Sequence, residues 1–367
     1  MQFTIQREAL LKPLQLVAGV VERRQTLPVL NNILMVLREG ELSMTGTDLE
    51  VELVGRVRVD DEIQAGEITV PARKLLDIVK SLPETALVNF SLENQRVTIK
   101  SGRSRFTLST LPASEFPAVE DSPNTLSFSL QQQQLKRLID AVSFSMAQQD
   151  VRYYLNGMLL EITPEFIRTV ATDGHRLALC TLQTAIEGAT ARQSILPRKG
   201  VMELVRFLAD SEQPVRVLLG NNHLRAQTDD FTFTTKLVDG KFPDYERVLP
   251  RGGNNLIQAV RQELRQAFSR AAILSNEKYR GVRLILEQGQ LTLVANNPEQ
   301  EEAEETVTID YAGAGFEIGF NVNYLVDVLN ALGGEAVRIS LADANSSALV
   351  ESIDSADALY VVMPMRL

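Results

Sequence analysis

The sequence predicts an α+β protein built from three repeated modules, each with two helices on a mainly antiparallel sheet. Three features carry this prediction: an amphipathic helix, a hairpin of alternating strands and a second helix. They recur in the same order at intervals of roughly 125–130 residues, a period that indicates repeated units. A chain of 367 residues suits two or three domains. We therefore expect modules at 1–126, 127–254 and 255–367.

The first repeated element is a helix that follows a short strand. Apolar residues recur at helical spacing in each copy. The helical segments are Arg7–Leu14, Gln131–Leu138 and Arg261–Phe268. The strand-like runs before them are Phe3–Ile5, Leu126–Ser129 and Leu256–Ile257.

The second element is a hairpin, predicted from apolar residues that alternate with polar ones. Its paired runs are Ile33–Leu37 with Leu42–Asp48, Met158–Ile162 with Ile167–Asp173, and Val282–Leu286 with Leu291–Asn297. We also expect the strand from Thr169 to continue through Asp173 and His175. The hairpin positions repeat so closely that the three copies align residue by residue.

The third element is a second helix, beginning at Pro71, Pro197 and Asn321. Proline suits the first helical turn because the N–H that it lacks would be unpaired there anyway. Two further strands close each copy, as in Arg96–Lys100 and Phe106–Thr110 of the first.

The composition excludes several functional classes. With 37 Lys and Arg against 47 Asp and Glu, the net charge of −10 argues against binding nucleic acid by bulk attraction. The single cysteine, Cys180, indicates a reducing compartment, and no apolar leader or membrane-spanning run is present, so we expect a soluble cytoplasmic protein. Two histidines offer little material for metal or acid–base sites, and no cofactor is expected.

The two ends of the chain carry opposite charges. Basic and apolar residues crowd the end of the first copy, and an acidic run with nearby apolar residues marks the third. Either run alone is typical of a solvated face, but together they suit a head-to-tail interface that closes a ring or extends a filament. The interface candidates are Lys74, Arg96, Arg103, Arg105, Phe106, Leu108, Ile273, Leu274, Glu299, Gln300, Glu301, Glu302 and Glu305.

The second helices of copies one and two begin with basic pairs, Arg73-Lys74 and Arg198-Lys199. Lys80 and Arg206 lie about two turns further on the same faces. Cations at a helix start oppose the macrodipole, so stability gives no reason for them, whereas contact with phosphates does. Such contacts would be weak, sequence-independent and sensitive to salt. Enclosure within a ring would hold DNA where this affinity could not.

Motifs along the whole chain resemble the bacterial sliding clamp family, the beta subunit of DNA polymerase III. They are Thr47–Glu50, Val70–Lys74, Ser101–Phe106, Gln149–Met158, Ala171–Leu177, Lys236–Tyr245, Asn296–Glu305 and Val361–Leu367. The resemblance implies a head-to-tail homodimer in which each chain forms half of a six-module ring of the DNA clamp fold. The ring would encircle duplex DNA without sequence specificity after opening by a clamp-loader complex.

The resemblance also implies a groove between the second and third modules that tethers partner proteins by a peptide. These partners would be the DNA polymerase III catalytic subunit, the clamp loader, translesion polymerases, mismatch-repair proteins, DNA ligase and a replication-initiation regulator. The groove residues would be Leu155, Thr172, Gly174, His175, Arg176, Leu177, Pro243, Arg247, Val248, Ser347, Val361, Val362, Met363, Pro364, Met365, Arg366 and Leu367. The DNA-facing residues would be Arg24, Arg73, Lys74, Lys80, Gln149, Tyr153, Tyr154, Arg198, Lys199 and Arg206.

Two positions depart from the pattern. The third copy has Asn321 and Asn323 where the earlier copies have basic pairs, which puts its DNA contacts in doubt. Asn345 replaces what is often an apolar residue beside the groove.

Two other functions compete with the clamp. An enzyme would use Asp173, His175 and Cys180, but an alternating strand would place Cys180 on the opposite face, and no nucleophile turn is present. The acidic run 299–305 lacks the loop spacing of a calcium site. An adaptor that never touches DNA would share the repeats and the groove, and retention on closed versus linear DNA would distinguish it from a clamp.

Overall fold

The computed structural model describes residues 1–22, 27–117, 123–250 and 253–366. This part of the chain divides into two compact units, one formed by 1–135 with 199–237 and the other by 136–198 with 238–367. No helix in the described ranges combines the length and the apolar character needed to cross a lipid bilayer.

Six α-helices occur among the described residues, numbered here in chain order. They are α1 (Arg7–Val20), α2 (Ala72–Ser81), α3 (Gln132–Asp140), α4 (Arg198–Phe207), α5 (Arg261–Ala271) and α6 (Val322–Ala331). All six coincide with the predicted repeated helices, so the order of elements in the three modules is confirmed. Short 3-10 helices occur at Pro28–Asn31, Ala113–Glu115, Ser143–Ser145, Tyr153–Asn156, Tyr245–Arg247 and Ala272–Leu274.

The strands are likewise numbered over the whole chain. Those of the first unit are β1 (Gln2–Gln6), β2 (Asn32–Arg38), β3 (Glu41–Thr47), β4 (Val51–Arg58), β5 (Asp61–Gln64), β6 (Gly66–Pro71), β7 (Leu87–Glu93), β8 (Arg96–Ser101), β9 (Ser104–Ser109), β10 (Asn124–Gln131), β15 (Pro214–Gly220), β16 (His223–Gln227) and β17 (Phe231–Lys236). Those of the second unit are β11 (Gly157–Ile162), β12 (Phe166–Thr172), β13 (Arg176–Gln183), β14 (Arg192–Pro197), β18 (Asn255–Val260), β19 (Gly281–Glu287), β20 (Gln290–Asn296), β21 (Glu302–Thr308), β22 (Phe316–Asn321), β23 (Ala336–Leu341), β24 (Ala348–Ser352) and β25 (Ala358–Val362).

Each unit holds one eight-stranded sheet and one smaller sheet. In the first unit the orders are β10-β15-β16-β17-β4-β3-β2-β6 and β5-β1-β7-β8-β9. In the second unit they are β14-β11-β12-β13-β25-β24-β23-β18 and β21-β20-β19-β22. The pairings are antiparallel throughout, in agreement with the predicted α+β class.

The eight-stranded sheets cross the expected module boundaries. β17 of the second module pairs with β4 of the first, with Phe233 opposite Leu53. β25 of the third module pairs with β13 of the second, with Val361 opposite Leu177. Neighbouring modules are therefore joined by continuous backbone hydrogen bonding, and each compact unit contains one such junction.

The cores lie between the helices and the sheets that they cover. In the first unit α1 lies directly on β3, where a Cβ on Gly46 would come within 2.5 Å of the Val17 carbonyl oxygen. Phe3 and Phe90 stack with ring centroids 4.8 Å apart. In the second unit Leu264, Phe268 and the other buried residues of α5 cover the smaller sheet.

Two local predictions are wrong. The strand from Thr169 ends at Thr172, because the Asp173 carboxylate accepts hydrogen bonds from His175 N (2.9 Å) and Arg176 N (3.0 Å) and so forms a turn. Gly174 supplies the positive φ, +90°, that this turn needs. The second correction is that Pro71 and Pro197 close strands, and their helices begin one residue later.

The third copy starts its second helix in a different way. The Asn321 side chain accepts hydrogen bonds from Asn323 N (3.0 Å) and Tyr324 N (3.4 Å), which satisfies backbone donors at the helix start. The asparagine that replaces proline here therefore has a structural role.

Candidate peptide groove, nucleic-acid interface and chain edges

An open cavity of about 160 Å³ lies in the second unit where β13 pairs with β25. Its floor continues into a buried apolar cluster that includes Leu159, Leu177, Phe242 and Val361. The lining residues are Arg152, Leu155, Thr172, Gly174, His175, Arg176, Leu177, Pro243, Tyr245, Val248, Val361 and Met363. Ten of these belong to the predicted groove, and Arg152 and Tyr245 are additional. The apolar floor and polar rim suit the binding of apolar side chains from a peptide.

Backbone pairing brings the two walls of this cavity together. Arg176 and Leu177 face Val362 and Val361 across the β13–β25 ladder. Just beyond the strand, Met363 N donates to the His175 carbonyl oxygen at 2.9 Å. The chain end and the Asp173–His175 turn therefore meet in the lining of the cavity.

Arg176 is held firmly in this wall. Its guanidinium donates to Asp173 (3.1 Å), to Asp327 (2.6 Å) and to the Phe144 carbonyl oxygen (2.8 Å). It also lies 4.4 Å from the ring centroid of Tyr324, with only 11% of the side chain exposed. A cation with this many partners serves as a rigid part of the wall rather than as a mobile charge.

A second network fixes the opposite wall. The Tyr245 hydroxyl donates to Glu161 Oε2 at 2.5 Å and accepts from Arg168 at 2.9 Å. Burial, together with the hydrogen bond to Glu161, raises the pKa of Tyr245 to about 12. The phenol stays protonated and anchors the segment between Pro243 and Val248. Tyr245 ends the Lys236–Tyr245 motif, but the sequence did not reveal the network itself, because its members are far apart along the chain.

Arg152 reaches the cavity from the loop before Tyr153. Asp150 holds its guanidinium by two hydrogen bonds, of 3.0 and 2.8 Å. These bonds hold the pKa of Asp150 at about 2, well below its usual range. Arg152 lies within the Gln149–Met158 motif, and the Asp150-x-Arg152 spacing is a second sequence signal that could have drawn attention to it.

The remaining predicted groove residues lie around this cavity. Arg247 and Ser347 line a neighbouring cavity of about 660 Å³, which Val248 also borders. Val362 is buried in β25, and Met365 N donates to the Gly319 carbonyl oxygen at 2.8 Å. Pro364 and Arg366 flank Met365, and Leu367 lies outside the described residues.

A cationic cavity of about 570 Å³ lies between α1, α2 and the end of α4 in the first unit. Its lining brings together Lys12, Arg73, Lys80 and Arg206, with no Asp or Glu among the described lining residues. Three of these cations were predicted to face DNA, and Lys12 was missed because it lies on the first helix. Arg206 also donates to Glu203 on its own helix at 2.9 Å.

The other predicted DNA-facing residues have varied surroundings. The Lys199 ammonium binds the carboxylates of Asp48 and Glu22; burial alone would lower the pKa of Lys199, but these hydrogen bonds raise it. Arg198 donates to the Met146 carbonyl oxygen at 3.3 Å. Lys74, Gln149 and Tyr153 are exposed, and Tyr154 packs edge-on against Tyr153. Arg24 lies outside the described residues. Lys199 is therefore already neutralised by two carboxylates, whereas the cavity cation Arg206 pairs with one, Glu203.

The two predicted interface edges are the outer strands β9 and β21 of the smaller sheets. Arg103, Arg105 and the half-buried Phe106 lie at β9, with Leu108 buried and Arg96 on the adjacent β8. Glu299, Glu301 and Glu302, together with the neutral Gln300, are exposed at and before β21. Ile273 is 74% exposed, beside Leu274.

Glu305 differs from the other acidic residues because its own chain neutralises it. Arg270 donates to its two carboxylate oxygens at 2.6 and 2.7 Å. The same hydrogen bonds hold the pKa of Glu305 below its usual range. An adjacent carboxylate, Glu304, is exposed at the same edge.

Three modules joined through continuous sheets define a DNA clamp subunit, and comparison with known proteins supports this class. Family models of the DNA polymerase III beta subunit match at residues 1–120 (N-terminal domain), 129–244 (central domain) and 246–366 (C-terminal domain). The chain is 64% identical to the beta sliding clamp of Pseudomonas aeruginosa and 55% identical to that of Escherichia coli, in both cases over the full length of both chains.

Solved structures agree with these matches. A sliding clamp of Pseudomonas aeruginosa bound to griselimycin superposes over both whole chains with a TM-score of 0.97 at 64% identity. The beta subunit of Caulobacter crescentus superposes equally completely with a TM-score of 0.92 at 38% identity. The chain belongs to the DNA polymerase III beta subunit family. It is a DNA sliding clamp, a non-catalytic processivity factor of DNA replication, as the sequence motifs predicted.

Proposed function

We propose that two copies close head to tail by pairing β9 of one chain with β21 of the other. The ring would enclose duplex DNA against the cationic cavity, and the β13–β25 groove would tether partner proteins. The observation that carries this proposal is the repeated strand pairing at the two junctions within the chain.

The junctions use equivalent strands. β4, β13 and β21 each follow the hairpin of their module, and β9, β17 and β25 are each the last strand of a module. β17 pairs with β4, and β25 pairs with β13. Within the described residues, β21 and β9 lack the corresponding partner. Pairing them would reproduce the strand order of the eight-stranded sheets, which supports closure by the same contact.

The same equivalence supports a register for the closing pair. Isolated β-bridges join β6 to Leu111, β14 to Val238 and β22 to Met365, in each case from the same position of the strand. These three residues therefore occupy equivalent positions in their modules. The residues four positions earlier, which are also equivalent, are Thr107, Thr234 and Val361. Thr234 pairs with Glu52, and Val361 pairs with Leu177. The partner strands β4, β13 and β21 are aligned by their pairing with the preceding hairpin strand: Thr47 pairs with Glu52, Thr172 with Leu177 and Asn296 with Glu302. Glu302 is therefore equivalent to Glu52 and Leu177. Thr107 would therefore face Glu302, and Arg105 would face Glu304.

This register would place opposite charges next to each other across the closing pair of strands. Cross-strand pairs of opposite charge contribute about 0.2–1 kcal/mol each. Arg105 lies opposite Lys100 within its own sheet, a pairing of like charges that Glu304 of the second copy would relieve. Glu305, another of the interface candidates, is already paired with Arg270 of its own chain. Glu304 is therefore the proposed partner of Arg105.

The module limits 1–126, 127–254 and 255–367 remain our proposal, and the three matched family segments support them. The two compact units follow different limits because the sheets cross from one module to the next.

We propose that DNA contact centres on Lys12, Arg73, Lys80 and Arg206, since these cations share one cavity free of described carboxylates. The other predicted contacts, Arg24, Lys74, Gln149, Tyr153, Tyr154 and Arg198, would supplement them. Lys199 would contribute least, because Asp48 and Glu22 already neutralise it. Contacts of this kind are sequence-independent and weaken as salt rises, so the ring would provide the retention.

The proposed groove partners are the DNA polymerase III catalytic subunit, the clamp loader, translesion polymerases, mismatch-repair proteins, DNA ligase and an initiation regulator. All act in the cytoplasm, where we place the clamp. The apolar cavity with fixed walls supports peptide docking, and the flexible Met363 side chain suits several partners in turn.

Native mass measurement and DNA retention test the ring. We expect a dimer that stays on circular or end-blocked DNA and slides off linear DNA with free ends. A dimer retained equally on both would exclude enclosure, and a monomer or an open-ended series of masses would exclude the β9–β21 closure.

A further inference from the structure

The methionines of this chain divide sharply by exposure. Of eight, Met1, Met35, Met44, Met146 and Met158 are buried. Met202 on α4 is 43% exposed and Met363 is 40% exposed, while Met365 is half-buried. An oxidant in solution therefore reaches few thioethers, and two of them lie at the chain end that forms the groove wall.

Met363 is distinctive among them because it lines the groove cavity itself. Its backbone is fixed by the hydrogen bond from Met363 N to the His175 carbonyl oxygen. The side chain stands beside Val361 and Leu177, so the surface that it presents to a bound peptide is apolar. A polar atom added to this thioether would lie in the docking surface.

We propose that Met363 is a site of reversible oxidation by peroxides and that its sulfoxide weakens peptide docking. The inference rests on the proposed groove function. The thioether sulfur attacks one peroxide oxygen, an S–O bond forms, and the O–O bond breaks. Sulfur loses two electrons to hydrogen peroxide, and the second peroxide oxygen takes up the proton of the transferred hydroxyl and leaves as water. The sulfoxide converts an apolar side chain into a polar one, and methionine sulfoxide reductases restore the thioether.

The structure also limits competing oxidation. Cys180 is the only cysteine and is buried in β13, with its pKa raised to about 12 by burial. Little thiolate is present to react with peroxide. Met202 matches Met363 in exposure but belongs to the first unit and is not among the residues that line the groove cavity. It therefore provides a matched control.

The test uses full-length protein and a fluorescent peptide copied from the docking segment of the replicative polymerase catalytic subunit. Peptide affinity is measured before and after graded hydrogen peroxide treatment, and mass spectrometry assigns the added oxygen to individual methionines. Leucine variants at positions 202, 363 and 365 are treated in parallel, because Met→Leu nearly conserves volume. Treated wild-type protein is finally incubated with a mixture of methionine sulfoxide reductases.

We expect affinity to fall about tenfold in step with oxygen on Met363, since a buried polar oxygen without a partner is costly. Met363→Leu should resist this loss, Met202→Leu should not, and the reductases should restore binding. Loss that follows Met202 or Met365 instead, or oxygen on Met363 without loss of affinity, overturns the inference. If untreated protein does not bind the peptide, the groove proposal fails first and the inference fails with it. If a leucine variant binds the peptide poorly before treatment, the inference is judged on the wild-type protein alone, by whether its affinity falls in step with the oxygen added to Met363.

Discussion

Reversing the charge of Arg105 tests the proposed closure most directly. In the Arg105→Glu variant, a carboxylate would face Glu304 of the second copy, so a favourable pair is lost and a repulsive one replaces it. At about 0.2–1 kcal/mol for each change, one interface loses up to about 2 kcal/mol. A closed head-to-tail dimer contains two such interfaces. The dimer should lose about 1–4 kcal/mol, which is roughly a fivefold to thousandfold rise in its dissociation constant.

The isolated subunit should respond in the opposite direction. Arg105 faces Lys100 across the β8–β9 ladder, so a glutamate at 105 would replace a like-charge pair with an opposite-charge pair. We therefore expect the variant chain to resist urea slightly better, by a few tenths of a kcal/mol, at concentrations where only monomer is present. Loss of dimer with gain of monomer stability excludes general misfolding as the cause.

Sedimentation equilibrium over a concentration series measures the dimer, with Arg216→Glu on β15 as a charge-reversal control in the other sheet of the first unit. The combination Arg105→Glu with Glu304→Arg should recover most of the lost affinity. The combination with Glu305→Arg should not, because it also breaks the pair with Arg270. Equal rescue by both, or an unchanged dimer in the single variant, would refute the register.

Four further predictions address the other sites. Replacing Lys12 and Lys80 with alanine should shorten retention on circular DNA and lower the salt dependence by about one unit of log–log slope per lost phosphate contact, whereas Lys241→Ala should change neither. Asp327→Asn should weaken docking of the polymerase peptide and lower the free energy of unfolding by about 1 kcal/mol, because the largely buried Arg176 loses a charged partner. The control is Asp140→Asn, which breaks an exposed ion pair with Lys136. Equal effects of the two substitutions would contradict the role of Asp327. Tyr245→Phe should remove a loss of stability that the wild-type protein shows between pH 10 and about 12. The pKa of Tyr245 is raised in the folded protein, so the contribution of its protonated phenol to the free energy of unfolding is complete below pH 10 and is lost as the pH rises through about 12. Thermal unfolding measures this effect, and a stability difference between variant and wild type that stays constant from pH 10 to about 12 would argue against the role of Tyr245. Deleting 363–367 should abolish peptide binding and leave the dimer intact in native mass spectra, while loss of both would mean that the tail is chiefly structural.

The groove shows how far sequence inspection reached. Ten of its lining residues were predicted from the family resemblance, and nine of them lie in the quoted motifs, which form the β13–β25 junction and the turns beside it. Tyr245 and Arg152 were missed, since their roles depend on partners that composition and spacing do not reveal. The acidic edge is similar: the charge run was visible, but the pairing of Glu305 with Arg270 was not.

The sequence by itself determined the three-fold repeat, the two helices of each module and the charge difference between the two ends. These properties are local, because periodicity and turn residues act within a few positions along the chain. Only the tertiary structure decided which cations share a cavity, which charges are already neutralised and which strand edges remain for a second copy. Such properties depend on side chains and strands brought together from distant positions, as Arg176 meets Asp327 and Lys199 meets Asp48.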